Sequence, residues 1–293
     1  MNEIIRDKLT HLIYVLLSPI DDLSFAKLQY RLVNGGKLNL KNPKTYNDKI
    51  QWIKIYDHNP DYHKLADKLE VRKFVTDRIG AEYLIPVVGG PWDSCDDIDY
   101  DKLPNQFVLK CTHDSGGIVI CHNKDSFDSK RASRFLGNRI KRDYYLHGRE
   151  WAYKGLVPRV YAEKYLVDES GTELKDYKIF CFDGVPKVIQ VDFGRFTKHE
   201  RNLYTPEWEY IPAQIKYPTN PRHQITRPEC LREMLEVASK LSKGLTQARV
   251  DLYVIYDKIY FGEITLYHGS GCETFKPAEF GKTMGDYIKI PNK

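Results

Sequence analysis

The 293-residue sequence predicts an α+β chain, with a mostly helical first third followed by strand pairs. Two observations carry this. Up to about residue 104, apolar positions recur at helical spacing in three segments, with one short strand. Beyond that point, β-branched and aromatic runs come in pairs around turn residues, at 107–121, 176–193 and 248–271. A length of 293 residues suits two domains or one large one.

In chain order, residues 1–18 read as an amphipathic helix stopped by Ser18-Pro19. Its apolar positions run from Ile4 and Ile5 to Leu16 and Leu17, with Arg6 and Lys8 nearby; the helix either packs on the domain or lies on a membrane surface. Asn34-Gly35-Gly36 marks a turn. Thr45 and Asp48 give a loose capping signal for a second helix with Ile50, Ile53 and Tyr56 on one face. A third helical pattern runs from Leu65 to Gly80. Leu84–Val88 reads as a strand closed by Gly89-Gly90-Pro91.

Ser126–His147 reads as a basic helix, with Lys130, Arg131, Arg134, Arg139, Lys141 and Arg142 around the apolar Phe135, Leu136 and Ile140. Such a run is either a solvated face or a guide for an acidic substrate. Val157–Val167 is a strand carrying Glu163 in mid-run, which suggests a ligand-facing position or an edge. Asp183-Gly184 between two apolar runs is a strong hairpin signal. Residues 226–245 form the clearest helix, with Thr226 as cap, Pro228 in the first turn and Gly244 at the end.

Composition narrows the function classes. Hydrophobic content of 42% and charged content of 29% are ordinary for a soluble globular protein. A net charge of +5 favours anionic ligands such as nucleotides or acidic sugars, but is too small and scattered to argue for nucleic acid. The six cysteines show no Cys-x-x-Cys spacing, which points to a reduced, cytoplasmic protein without a zinc site. No secretory signal with a small-residue cleavage site is evident, and no apolar run reaches the ~18 residues of a membrane span.

Two stretches carry candidate chemistry. Phe107–His122 places Lys110 at the end of one strand, before a small-residue loop, Asp114-Ser115-Gly116-Gly117. Glycines let backbone N–H groups approach an anion, and a lysine adds a point charge, so the stretch suits a phosphate-covering lid; a plain hairpin with glycines for turn geometry is the alternative. Ala248–Gly271 places Asp251 on one strand and Glu263 on the next. An odd-length connection or a bulge puts both carboxylates on one face. Oxygen ligands of this kind suit magnesium beside a triphosphate. Arg249 shares a face with Asp251 and is able to pin a phosphoryl or carboxylate group; a solvent-facing hairpin with an Arg–Asp pair is the alternative. Asp176 and Lys178 point to one face, free to pair with each other.

The order of these parts resembles the ATP-grasp superfamily and, more closely, its TupA-like branch of teichuronopeptide and capsular polysaccharide gene clusters. The resemblance runs from about Thr45 to Pro277 through TYNDKIQWIKIYD (45–57), ADKLEVRKFV (66–75), FVLKCTHDSGG (107–117), AEKYL (162–166), DYKIFCFDG (176–184), ARVDLY (248–253) and FGEITLYHGSG (261–271). It implies an ATP-grasp fold of two α+β subdomains gripping ATP, at 105–165 and 166–293, after a helical segment at 1–104. By the resemblance, Lys110 binds the α- and β-phosphates, and Ser115, Gly116 and Gly117 close over the β- and γ-phosphates. Glu163, Lys164 and Tyr165 lie on the connection that contacts adenine, and Asp176 binds the ribose. Lys178 and Arg249 join Lys110 as catalytic groups, Lys178 reaching the γ-phosphate. Asp251 and Glu263 match magnesium ligands, with Thr265 where the family more often has asparagine.

The implied activity is an ATP-dependent carboxylate–amine ligase, using ATP and Mg²⁺ to join an amino acid or peptide to a uronic-acid sugar, with no nucleic-acid partner. Two rival classes stay open at this point. One is a glycosyltransferase or kinase acting on such a sugar, for which Asp99-Tyr100-Asp101 has a metal-motif spacing without a convincing strand before it. The other is a non-enzymatic scaffold at the membrane face. His113 and His268, next to the candidate site, are expected to be structural.

Overall fold

The computed structural model describes residues 3–168, 174–194, 199–223 and 225–290, with only the backbone for 3–8. The side chains of Ile4, Ile5, Arg6 and Lys8 lie outside the described residues. The helical first third consists of α1 (Glu3–Leu16), α2 (Asp22–Asn34), α3 (Tyr46–Tyr56), α4 (Asp61–Ala66) and α5 (Val71–Ile79). Helix α1 leaves Leu12 and Leu16 at 52% and 70% exposure. Helix α3 starts in a full capping box: Thr45 accepts from the Asp48 amide, and Asp48 accepts from the Thr45 amide. Tyr46, Ile50 and Ile53 on α3 are buried in the largest core.

The third helical pattern is two helices rather than one. Asp67 Oδ1 accepts from the amides of Leu69 and Glu70, at 2.8 and 3.0 Å, which ends α4 and restarts the chain as α5. The break places Lys68 where its amide donates to the Thr112 carbonyl at 3.0 Å.

Next come β1 (Val87–Trp92), β2 (Phe107–Cys111), β3 (Ile118–Cys121), α6 (Ser129–Ile140), α7 (Tyr145–Gly148) and β4 (Val160–Lys164). They form a four-stranded antiparallel sheet in the order β1-β4-β2-β3. Here Gly89-Gly90-Pro91 lies inside β1 instead of closing a strand. A Cβ on Gly90 would meet the Tyr161 Cα and the Val160 carbonyl at 3.0 Å, so only glycine lets this irregular edge ride so close to β4. The basic helix is shorter than its pattern, ending at Ile140 before a separate turn of helix at α7.

The chain continues through β5 (Asp176–Phe182), β6 (Val185–Phe193), β7 (Glu200–Tyr204), β8 (Tyr210–Ile211), β9 (Gln214–Ile215), α8 (Leu231–Ser242), β10 (Ala248–Ile255), β11 (Lys258–Thr265), β12 (Phe275–Lys276) and α9 (Ala278–Tyr287). The large sheet is antiparallel, in the order β11-β10-β5-β6-β7-β8. Asp183 and Gly184 both have positive φ, as the tight β5–β6 turn requires. Helix α8 begins at Leu231, so Thr226 and Pro228 precede it and Cys230 takes the cap position without a side-chain bond. Its Leu231, Met234, Ala238 and Leu241 are buried with Ile179, Ile189 and Val250 of the sheet.

Candidate active site

Alternation along the strands sorts each sheet into an apolar face and a charged one. In β2, Phe107, Leu109 and Cys111 are fully buried with Leu136 of α6, while Val108 and Lys110 face the other way. Tyr161 sits opposite Lys110, and Glu163 opposite Val108. Lys110 Nζ therefore reaches Glu163 Oε2 diagonally, at 2.5 Å. Tyr161 donates to Glu163 Oε1 at 3.1 Å, and Arg72 of α5 lies 3.5 Å from the same oxygen. Glu163 is thus inside β4, its side chain tying down Lys110, rather than on the connection that follows. Lys164 ends the strand exposed, its amide bonded to the Pro86 carbonyl at 2.9 Å, and the Tyr165 ring meets His122 edge-on.

The glycine loop is held from both sides. Asp114 Oδ1 accepts from the Gly117 amide at 3.2 Å. Arg139, from the last turn of α6, donates through Nε to Asp114 Oδ2 and through Nη2 to the Ser115 carbonyl, both at 2.6 Å. Lys68 Nζ donates to the Asp114 carbonyl. Ser115 and Gly116 stay exposed and Gly117 is buried. One arginine of the basic helix is therefore a loop clamp rather than part of a solvated face. Bonds to charged groups contribute roughly 1.5–3 kcal/mol each. Arg139→Ala is accordingly expected to speed amide exchange at 115–117 by about tenfold or more, and to raise the KM for ATP. Deuterium uptake of a peptide spanning the loop measures this, and unchanged uptake would remove Arg139 from the clamp.

The large sheet presents a nearly continuous charged face. Pairing sets Thr265 beside Arg249, Glu263 beside Asp251, Lys178 beside Asp251, and Gln190 beside Lys178. A bulge after Asp251 brings the two carboxylates into register on one face, as the even spacing requires. Arg249 ties them together: Nε and Nη2 donate to Asp251 Oδ1 and Oδ2 at 2.6 Å, and Nη2 also reaches Glu263 Oε1 at 2.9 Å. The Thr265 hydroxyl donates to Glu263 Oε1 at 2.8 Å. Arg249 Nη1 donates to His268 Nδ1 at 2.7 Å, with the buried ring in the tautomer that accepts there. Lys178 pairs with Asp176 and stands 3.4 Å from Asp251.

Burial pushes the Asp251 carboxyl up to about 6, against the pull of Arg249 and Lys178. Burial would also raise Glu263, but Arg249, Lys68 and the Thr265 hydroxyl more than offset it and hold that carboxyl below its usual range. Burial drives His268 well below its ordinary value, reinforced by Arg249, so the ring is neutral and orients the guanidinium. His113 is likewise buried and lowered, mainly by desolvation. Both histidines read as structural.

A cleft of ≈ 620 Å³ opens where the two charged faces approach, lined among others by Lys68, Ser115, Arg249, Glu263 and Thr265. Lys68 senses Asp114, Glu263 and Lys110 together, so it lies between the loop and the paired carboxylates. Burial lowers its pKa, and Lys110 adds to the effect; an incoming anion relieves both. For magnesium, Asp251 and Glu263 supply hard oxygen donors, and 46% of the Glu263 side chain is open to the cleft. Among the described residues no group of three or more His, Cys, Asp or Glu side chains is placed to hold a metal. By their chemistry the two carboxylates would suit a magnesium that takes one or two such ligands and completes its shell with phosphate oxygens. Asp99 and Asp101 sit on an exposed turn, Asp99 paired with Lys102 at 2.8 Å, away from the cleft.

The family model for TupA-like ATP-grasp proteins matches residues 48–289. The chain belongs to the TupA-like ATP-grasp family. No curated protein matches it. Among solved structures, a D-alanine–D-alanine ligase from Bacillus anthracis complexed with ATP is 17% identical, with 82% of this chain and 65% of that one covered and a TM-score of 0.44. An L-amino acid ligase from Bacillus licheniformis is 16% identical over 86% of this chain and 57% of that one, with a TM-score of 0.46. An N5-carboxyaminoimidazole synthetase from Staphylococcus aureus complexed with ADP is 15% identical over 69% and 44%, with a TM-score of 0.41. The TupA-like chain thus spans between about half and two thirds of the length of these structures.

In this TupA-like ATP-grasp chain, Lys110 and Glu163 share one face of the small sheet, and Lys178, Arg249, Asp251 and Glu263 share one face of the large sheet. Lys68, Asp114 and Arg139 were missed as site residues. Lys68 lies inside the matching segment 66–75, between the ends of two helices; the Asp67 side chain just before it was the available sign of a break. Asp192 was also missed. It accepts from Arg201 Nε at 2.6 Å and from Gln190 Nε2 at 3.0 Å, and lies 4.0 Å from Lys178. No helix among the described residues is long and apolar enough to cross a membrane.

Proposed function

We propose that this ATP-grasp chain is an ATP-dependent carboxylate–amine ligase. The observation that carries the proposal is the meeting of two oppositely built faces at one cleft. Lys68, Lys110 and the Ser115 and Gly116 amides offer positive charge and N–H donors, while Arg249 binds Asp251 and Glu263; Lys68, Ser115, Arg249 and Glu263 line the one cleft. Phosphoryl transfer demands positioning and charge neutralisation rather than an activated side-chain nucleophile. Lys110 and Lys68 take the phosphate oxygens, the loop amides cover the terminal phosphates, and Asp176 takes the ribose. The main chain around Lys164 and Tyr165 borders the base. Asp251 and Glu263, the latter steadied by Thr265, hold magnesium, which when bound neutralises phosphate oxygens. Lys178 and Arg249 stabilise the transferring phosphoryl group. A substrate carboxylate oxygen attacks the γ-phosphorus, ADP leaves, and the acyl-phosphate carbon accepts an amine as phosphate departs. The acceptor we assign is an acidic, uronic-acid-type sugar of a surface polysaccharide, and the donor an amino acid or peptide.

The test is thermal and urea unfolding with and without Mg²⁺-ATP, wild type beside Glu263→Gln. Ligand at 100 times its dissociation constant stabilises the native state by about 2.7 kcal/mol. Glu263→Gln is expected to lose at least about 1.4 kcal/mol of that, a tenfold weakening. A wild type indifferent to millimolar Mg²⁺-ATP would sink the proposal. Hydroxylamine added with uronic acids or amino acids then separates the chemistries: a hydroxamate reports an acyl-phosphate, and ADP release without one reports a kinase.

A further inference from the structure

One carboxylate that lines the cleft is not used by the reaction above. Glu150 follows α7 in the crossover that leads to β4, and lines the cleft with Glu263 and Thr265. Tyr153 connects it with the carboxylate pair: its phenol senses Glu150, Tyr144, Glu263 and Arg249 together. Among the described residues no cation lies within ion-pairing distance of the Glu150 carboxylate. The nearest ammonium, on Lys54 of α3, is spent on Ser270, donating to its carbonyl at 3.1 Å and its hydroxyl at 3.0 Å. The Ser270 hydroxyl in turn donates to the Gly148 carbonyl at 3.5 Å and, beside the carboxylate, favours its charged form.

The part of the cleft around Glu150 is preorganised. Gln51 Nε2 donates to the carbonyls of Ser270 and Gly271 at 2.9 and 3.3 Å. Those bonds hold the turn at 269–271, where three successive residues have positive φ, Ser270 among them at +54°. Gly148 completes the fit: a Cβ there would come within 2.6 Å of Ser270 Oγ and 2.9 Å of Glu150 Oε1. The groups around Glu150 are Lys54 on α3, Tyr144 at the start of α7, Tyr153, Tyr267 and the Cys272 thiol. Burial keeps all three phenols protonated at neutral pH, so they donate or stay silent. Burial also raises the Glu150 pKa, with Lys54 and Ser270 pulling the other way.

We infer that Glu150 is the amine subsite of the ligase: it binds the incoming primary ammonium and accepts its proton. The inference rests on the ligase reading of the cleft. As the ammonium gives a proton to Glu150, the nitrogen lone pair forms a bond to the acyl carbon. The carbon–oxygen bond to phosphate breaks with its electron pair. The nitrogen's second proton leaves with the phosphate, giving amide and hydrogen phosphate. A carboxylate without its own ion pair suits a cation that arrives with the substrate, and a raised pKa makes it the better base.

Glycinamide, an ammonium without a carboxylate, is the probe, titrated calorimetrically into the full chain saturated with Mg²⁺-ADP near neutral pH. Wild type is expected to give saturable heat, weakened by about tenfold or more in Glu150→Gln, with Ser270→Ala intermediate. On an acid that yields hydroxamate, hydroxylamine turnover, whose nucleophile is largely uncharged at neutral pH, should fall less in Glu150→Gln than amide formation does. Amide formation with glycinamide should fall at least about a hundredfold and recover as pH rises toward the amine's own pKa. Equal glycinamide binding in wild type and Glu150→Gln, or no saturable heat in wild type, overturns the inference. If Glu150→Gln does not fold, Glu150→Asp, which draws the carboxylate back by one methylene, must show the same weakening. A normal Mg²⁺-ATP shift in wild type with glycinamide indifferent to Glu150 defeats this inference alone; a missing nucleotide shift defeats the ligase reading itself.

Discussion

Arg249→Met is expected to lower folding stability by about 3–5 kcal/mol and ATP turnover by at least about a hundredfold. Both effects follow from its position. The guanidinium makes two 2.6 Å bonds to Asp251, a 2.9 Å bond to Glu263 and a 2.7 Å bond to His268. Methionine fills similar volume but leaves the buried Asp251 facing the 46%-exposed Glu263 without their shared cation. Breaking a buried pair from one side is costly because the remaining charge stays desolvated. The same reasoning sets a second readout. Mg²⁺ alone, added to the variant, is expected to restore part of the stability by taking the place between the carboxylates, and to do far less for wild type. Urea unfolding with and without Mg²⁺ measures both. A stability loss below about 1 kcal/mol, the range of a surface ion pair, would show that Arg249 is dispensable to the carboxylate pair.

Lys110→Met should separate stability from activity. Glu163 loses the 2.5 Å bond but keeps Tyr161 at 3.1 Å and Arg72 at 3.5 Å. The stability cost is therefore expected near the lower part of the 1–3 kcal/mol range for an unsatisfied buried group. Turnover is expected to fall by about 10²–10³, the usual effect of removing one preorganised electrostatic donor. Adding Glu163→Gln removes the excess negative charge and should recover stability without recovering turnover. Steady-state ADP release and urea midpoints on wild type and the two variants decide it. Wild-type turnover in Lys110→Met would take the lysine out of the phosphate site.

The sites legible beforehand were those that depend on parity. Arg249 and Asp251, like Asp176 and Lys178, stand two apart on one strand, so a period of two put each pair on one face; Lys110 and Glu163 pair across two strands and carried no such signal. The even spacing between Asp251 and Glu263 left an odd-length connection or a bulge, and the chain uses a bulge after Asp251. Where reading failed, the cause was competition by local side-chain bonds or by close packing. Asp67 split a helix that its apolar pattern ran through. The end of α6 at Ile140 cut short the basic pattern to His147. Gly89 and Gly90 read as a strand's end because the approach of β1 to Tyr161 lies far away in sequence.

The sequence by itself determined the α+β class, the family resemblance and the shared faces of Asp176 with Lys178 and of Arg249 with Asp251, because side-chain alternation and turn chemistry act within a few residues. Only the tertiary structure decided what those faces meet. Lys68 reaches the loop across 46 residues, Arg139 clamps it across 25, and Lys54 holds Ser270 across 216. None of these pairs carries a local signal: those of Lys68 and Lys54 are set by how the helical first third docks on the sheets, and that of Arg139 by how α6 packs against β2. That docking is driven by burial of apolar area, which fixes where the faces sit without recording which charges will confront one another.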